Sequence, residues 1–138
     1  QKTLEKIKSK KLSQFFRIEG YKPYLEIVEI LKKATCLLLV IDKVPNNMGF
    51  LTGKLFDYLG ARKPILAIGP TGGDAEKIIH ETNSGWFLDY GDEEGFSMVL
   101  KSLIQGDYHF SFQVENYSRI NQVKSLSNFL NQASGTQN

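Results

Sequence analysis

The sequence predicts an α/β fold, a parallel sheet with helices on both faces, and three observations carry that expectation. Short aliphatic runs alternate along the chain with stretches of helical period. The runs Cys36-Leu-Leu-Leu-Val-Ile41 and Ile65-Leu-Ala-Ile68 are continuously apolar, as strands covered on both faces need to be. The connections between runs are short and punctuated by glycine, proline and asparagine. Strand and helix in strict alternation mean a parallel sheet, and right-handed crossovers then make a Rossmann-like layered arrangement the natural one.

The elements follow in order. Leu4 to Leu12 has the spacing of an amphipathic helix. Its lysines (Lys2, Lys6, Lys8, Lys10 and Lys11, against Glu5 alone) read as a solvated face or, more sharply, as a dock for anionic lipid or another protein segment. Phe15 to Glu19 reads as a short strand closed by Gly20. Tyr24 to Lys33 has Leu25, Val28, Ile30 and Leu31 spaced for one helical face, with Pro23 at its entrance. The strand Cys36 to Ile41 leads through the loop Lys43 to Phe50 into a helix over about Gly53 to Ala61. Pro64 opens the strand Ile65 to Ile68, and Gly69-Pro-Thr-Gly-Gly73 leads to a helix over Asp74 to Glu81. Gly85 starts the last strand, Trp86 to Asp89, and a helix over about Glu93 to Ile104 follows it. A tail with Phe110, Phe112 and Tyr117 carries a further helix from about Val114 to Leu130, and Ser134 to Asn138 frays.

Composition narrows the function classes. At 138 residues the chain is one domain's worth, 1–138, with 114–138 as a helical tail. With 41% hydrophobic and 23% charged residues it lies outside the disordered classes. A net charge of +2 makes no demand for nucleic acid. The single Cys36 sits in an aliphatic run, where a structural thiol is expected rather than a nucleophile. The N-terminus is polar, and the longest apolar run is far too short to span a bilayer. A soluble cytoplasmic chain is therefore expected. His80 and His109 have no companions at metal-ligand spacing, and no phosphate-binding glycine fingerprint or nucleophile elbow occurs. Neither a metal nor a cofactor is expected.

In such sheets ligands bind beyond the carboxyl ends of the strands, beside helix N-termini. Thr52 is placed as an N-cap, leaving the N–H groups of Gly53, Lys54 and Leu55 to point out of the helix end. Those donors, the helix dipole and the Lys54 charge make an anion site suited to a phosphate, and Gly53 removes the side chain that would obstruct it. Asp57 lies about 4.5 Å further along the axis on nearly the same face. There a carboxylate can accept both hydroxyls of a ribose. The same residues also fit an ordinary capped amphipathic helix with a solvated lysine. In the second loop Gly72 and Gly73 allow close approach to a ligand or simply form a turn, with Asp74 as the next helix's N-cap.

The stretch Thr52-Gly-Lys-Leu-Phe-Asp-Tyr-Leu-Gly-Ala-Arg-Lys-Pro-Ile-Leu-Ala67 resembles the signature of glycosyltransferase family 4, in which an acidic helix residue precedes a strand-opening proline by seven positions, as Asp57 precedes Pro64. Lys54 before the acid and Tyr58-Leu59 after it resemble the bacterial polysaccharide-building branch. Gly20-Tyr-Lys-Pro-Tyr24, Gly72-Gly73 and Gly85 agree, and the similarity covers roughly residues 15 to 130.

The resemblance implies an enzyme of two Rossmann-like domains, of which this chain is an incomplete C-terminal one that holds a nucleotide-sugar. Asp57 would bind the donor ribose. Thr52, Gly53 and Lys54 would face the pyrophosphate, and Gly72 and Gly73 would lie near the cleft. Transfer would be metal-independent and retaining, to a polysaccharide or glycolipid acceptor, and the fragment alone would be inactive. Eight positions before Asp57, where the family carries a glutamate toward the donor sugar, stands Gly49. A complete C-terminal domain would begin with a further strand, helix and strand carrying basic residues for the pyrophosphate. The expected partners are therefore the acceptor-binding N-terminal domain or another chain, with self-association through the unfinished sheet and peripheral attachment at the inner face of the membrane. A non-catalytic nucleotide- or sugar-binding module, or a protein-interaction domain of the same fold, is the alternative.

Overall fold

The computed structural model describes residues 2–45, 47–49 and 51–133. Asn46 and Phe50 of the first loop, and the tail Ser134 to Asn138, lie outside them. Among the described residues six α-helices and three strands follow in the order α1 (Lys2–Ser9), α2 (Tyr24–Lys33), β1 (Leu37–Val40), α3 (Gly53–Ala61), β2 (Ile65–Ile68), α4 (Asp74–Glu81), β3 (Gly85–Leu88), α5 (Glu93–Gln105) and α6 (Arg119–Ala133).

The strands form one parallel sheet in the order β1-β2-β3. Leu37 pairs with Ile65, and Ile65 with Gly85, so equivalent strand positions lie side by side. The pleat then sends Leu39, Ile41, Ile65 and Ala67 to one face, where they pack with Leu55 and Leu59 of α3 and with Ala75, Ile78 and Ile79 of α4. The opposite face carries Leu66, Trp86 and Leu88, and α5 lies against it with Leu88 beside Gly95 and Val99 buried. This small parallel sheet thus has helices on both faces, as its alternating pattern predicts.

Local chemistry sets the helix ends. Arg62 closes α3 in the left-handed region (φ 51°), and Gly106 does the same for α5 (φ 68°). The Asp92 carboxylate caps α5 by accepting from Gly95 N at 2.9 Å. The expected tail helix begins later than its periodicity suggests. Residues Glu115–Tyr117 make a 3₁₀ turn, and α6 starts at Arg119, with the Ser118 hydroxyl accepting from Asn121 N at 3.2 Å. The first helix ends at Ser9 rather than Leu12.

Two expectations are overturned. Phe15 to Glu19 is no strand: Ser13–Phe15 forms a 3₁₀ turn, and the rest pairs with no other segment. An apolar stretch without a neighbouring strand edge has nothing with which to share its N–H and C=O groups. β1 is covered on one face only: Leu38 and Val40 are 56% and 55% exposed, because α5 covers the β3 side of the sheet and no described element covers this half. β1 is also an edge strand. Its outward-facing Leu38 carbonyl accepts from the Tyr58 hydroxyl of α3 at 3.3 Å, which blocks one rung of that edge.

Candidate functional site

The loops after β1 and β2 and the entrances of α3 and α4 meet at the carboxyl end of the sheet. Thr52 does stand at the N-cap of α3, with φ −97° and ψ 147°, but its side chain makes no capping bond. Its hydroxyl oxygen is buried and has no partner among the described residues. Leu55 N donates to the Thr52 carbonyl at 3.0 Å, so this amide is not a free donor as expected. The tightening of the first turn takes it. The N–H groups of Gly53 and Lys54 have no partner among the described residues. A Cβ on Gly53 would meet nothing within 4 Å, and Lys54 is exposed and has no ion pair among the described residues. A cation in the first turn opposes the helix dipole, so Lys54 does not stabilise α3.

Asp57 is half-buried one turn further along α3. Its neighbour comes from a distant part of the chain: the Tyr24 hydroxyl at the start of α2 donates to Asp57 Oδ1 at 3.0 Å. That hydrogen bond, with the carboxylate's charge behind it, pushes the Tyr24 phenol above its ordinary value. Burial, and then the same charge, raise Tyr58. No hydrogen bond is made to Asp57 Oδ2 among the described residues.

The second loop is closed by its own groups. Gly72 has φ 78°, and its N–H donates to the Glu76 carboxylate of α4. A Cβ on Gly73 would lie 2.8 Å from the Met48 carbonyl oxygen, so this glycine is required by the 3₁₀ turn Asn47–Gly49 packed against it. Gly73, rather than Asp74, is the N-cap of α4. Asp74 begins the helix, pairs with Lys77 at 3.1 Å, and sends Oδ2 to within 3.6 Å of where a Cβ on Gly49 would stand. Glu76 therefore takes the Gly72 amide, and Gly73 packs the two loops together.

Asn47 and Tyr90 tie the rim. Asn47 Nδ2 donates to the Asp42 carbonyl at 2.7 Å and to Tyr90 Oη at 2.9 Å, and Tyr90 Oη donates to the Ile41 carbonyl at 2.9 Å. Lys43 Nζ lies 5.4 Å from the centre of the Tyr90 ring. Asn47 and Tyr90 stand 43 residues apart, and no sequence periodicity links them.

The arrangement offers two amides without a partner among the described residues and a lysine at a helix tip, a carboxylate one turn on, and a second cation, Lys43, at the rim. It can hold an anion beside a hydroxyl-bearing group. Among the described residues no group of three or more His, Cys, Asp or Glu is placed to hold a metal, and no helix is long and apolar enough to cross a membrane. No family model, no curated protein and no solved structure matches the chain.

Proposed function

We propose that the chain is the donor-binding part of a retaining, metal-independent glycosyltransferase, holding a nucleoside diphosphate sugar for transfer to a polysaccharide or glycolipid acceptor. The observation that carries this reading is the entrance of α3: among the described residues the Gly53 and Lys54 amides have no partner, and Lys54 stands unpaired against the dipole one turn from the Asp57 carboxylate. A lysine that does not serve helix stability serves an anion instead. The diphosphate sits at this tip, and a ribose hydroxyl takes Asp57 Oδ2 while Tyr24 holds Oδ1. Charge-assisted bonds of this kind are the strong ones.

The family signature around Asp57 and Pro64 supports the same reading. It expects a glutamate at position 49, and Asp74 Oδ2 approaches that position, so Asp74 stands in for it toward the sugar. No residue of this chain is assigned a catalytic role: the donor phosphate assists its own departure, and the acceptor is held elsewhere. The setting is the cytoplasm, at the inner face of the membrane.

Calorimetric titration with UDP, GDP and ADP tests the reading, alongside Asp57→Ala and Lys54→Ala. Saturable binding of one diphosphate, weakened by both substitutions, is the expected result. Binding indifferent to both would remove the site from α3. A second reading, a domain that works by pairing through its sheet, draws on the open edge of β1 with Leu38 and Val40 exposed. It predicts concentration-dependent association in sedimentation and no nucleotide binding.

A further inference from the structure

We propose that a second site, a cleft at the amino end of the sheet, binds the phosphate group of an anionic ligand. The cleft has a volume of about 490 Å³ and lies at the end of the sheet away from the α3 entrance. Lys33 enters it from the end of α2, Arg62 and Lys63 from the turn after α3, and His109 from the segment that follows α5. This segment is a strap across the amino ends of the strands. Phe110 packs edge-on against Trp86, with ring centres 4.7 Å apart, and Gln113 N donates to the Thr82 carbonyl at 2.7 Å. His109 is thus presented by anchored backbone.

The charge in the cleft is one-sided. No carboxylate lines it. Arg62 is paired at 2.6 Å with Glu115, which is outside the lining. The side chains of Lys33, Lys63 and His109 have neither ion pair nor hydrogen bond among the described residues. The carbonyl ends of α2 and α3 each favour a cation, which accounts for Lys33 and Arg62. They do not call for Lys63 to converge on the same space, since like charges brought together repel, and His109 adds a hydrogen-bonding imidazole beside it. An anion removes that repulsion. A phosphate, with several acceptor oxygens, matches a guanidinium fork beside point-charge ammonium groups. Tyr108 and Phe110 supply an apolar wall for whatever carries it.

Such a phosphate can come from a soluble ester or from a lipid headgroup, and the test separates the two. The whole 138-residue chain is titrated with glycerol 3-phosphate and, separately, with vesicles of phosphatidylcholine with and without phosphatidylglycerol. Two variants are compared with it: Lys33→Gln with Lys63→Gln, and a second in which Lys6, Lys8, Lys10 and Lys11 of the N-terminal run all become Gln. Far-UV circular dichroism establishes that both keep the fold. The expected result is binding in one arm, with shifts of the Thr35 and His109 amide resonances, weakened about twenty-fold by the cleft pair and much less by the N-terminal set. Binding in neither arm, an unchanged affinity in the cleft variant, or a loss confined to the N-terminal variant would overturn the proposal. Asp57→Ala leaves this binding intact, so its outcome is independent of the donor site.

Discussion

The loops after β1 and β2 occupy equivalent places in the sheet, yet they are finished in opposite ways. After β2, the Gly72 amide is taken by Glu76, and Gly73 is pressed against the Met48 carbonyl. After β1, the Gly53 amide has no partner among the described residues, its α-carbon faces open space, and Lys54 is left unpaired. A strand-to-helix turn with glycines is therefore not a binding site by its composition. What distinguishes the two is that after β2 one glycine amide is taken by a carboxylate and the next glycine is pressed against backbone, whereas the space beside Gly53 is open. The closed loop is structural support for the open one, since the turn Asn47–Gly49 between β1 and α3 packs on Gly73.

Substitutions on either side sharpen this contrast. The largest effect is expected at Asp57: Asp57→Ala lowers nucleoside diphosphate affinity by roughly ten- to a hundred-fold in calorimetry, the loss of a hydrogen bond to a charged group. Gly73→Ala costs about 2 kcal/mol in urea unfolding, because the new methyl meets backbone that must shift. Gly53→Ala changes stability by less than about 1 kcal/mol, and in the favourable direction, since alanine is the better helix former. Equal costs at the two glycines would erase the distinction between the loops.

Smaller effects carry sign information. Lys54→Gln weakens diphosphate binding about five-fold while raising stability by a few tenths of a kcal/mol, because a cation leaves the positive end of α3. A lysine serving only the fold would give one sign for both. Thr52→Val is expected to leave the melting temperature unchanged or slightly raised, against the ~1 kcal/mol that a working N-cap would lose. The smallest is a pH effect away from the site. The Tyr117 hydroxyl donates to Glu81 Oε2 at 2.6 Å, which pushes its pKa up to about 12. A phenol bound more tightly to its proton in the folded state stabilises below its ordinary pKa and loses that contribution as pH rises through the folded value. Between about pH 10 and 12 the wild type therefore loses stability that Tyr117→Phe does not, seen in unfolding curves across that range.

Much of the layering was legible because continuous aliphatic runs and helical periods are local signals. Leu37 to Val40 and Ile65 to Ile68 form the strands their composition suggests, and α3 starts at Gly53 directly after Thr52. An apolar run does not say which of its faces is covered, so the exposure of Leu38 and Val40 was hidden until α5 was seen to serve the other side of the sheet. Phe15 to Glu19 misled for a related reason: strand-like residues need a neighbour to be a strand. The site was legible in part. Lys54 and Asp57 share a helix, and their relation follows from its period. Tyr24 reaches Asp57 across 33 residues of sequence, and Glu76 finds Gly72 through the shape of a turn, so which groups are already satisfied is known only once the chain is folded.

The most direct test is an amide-resolved NMR titration of the chain with the nucleoside diphosphate that binds best, following Gly53 and Lys54 beside Gly72 and Gly73. Saturable shifts at Gly53 and Lys54, with Gly72 still held by Glu76 and little moved, are the predicted result. Shifts centred on Gly72 and Gly73, or saturation that leaves the α3 entrance untouched, would contradict it.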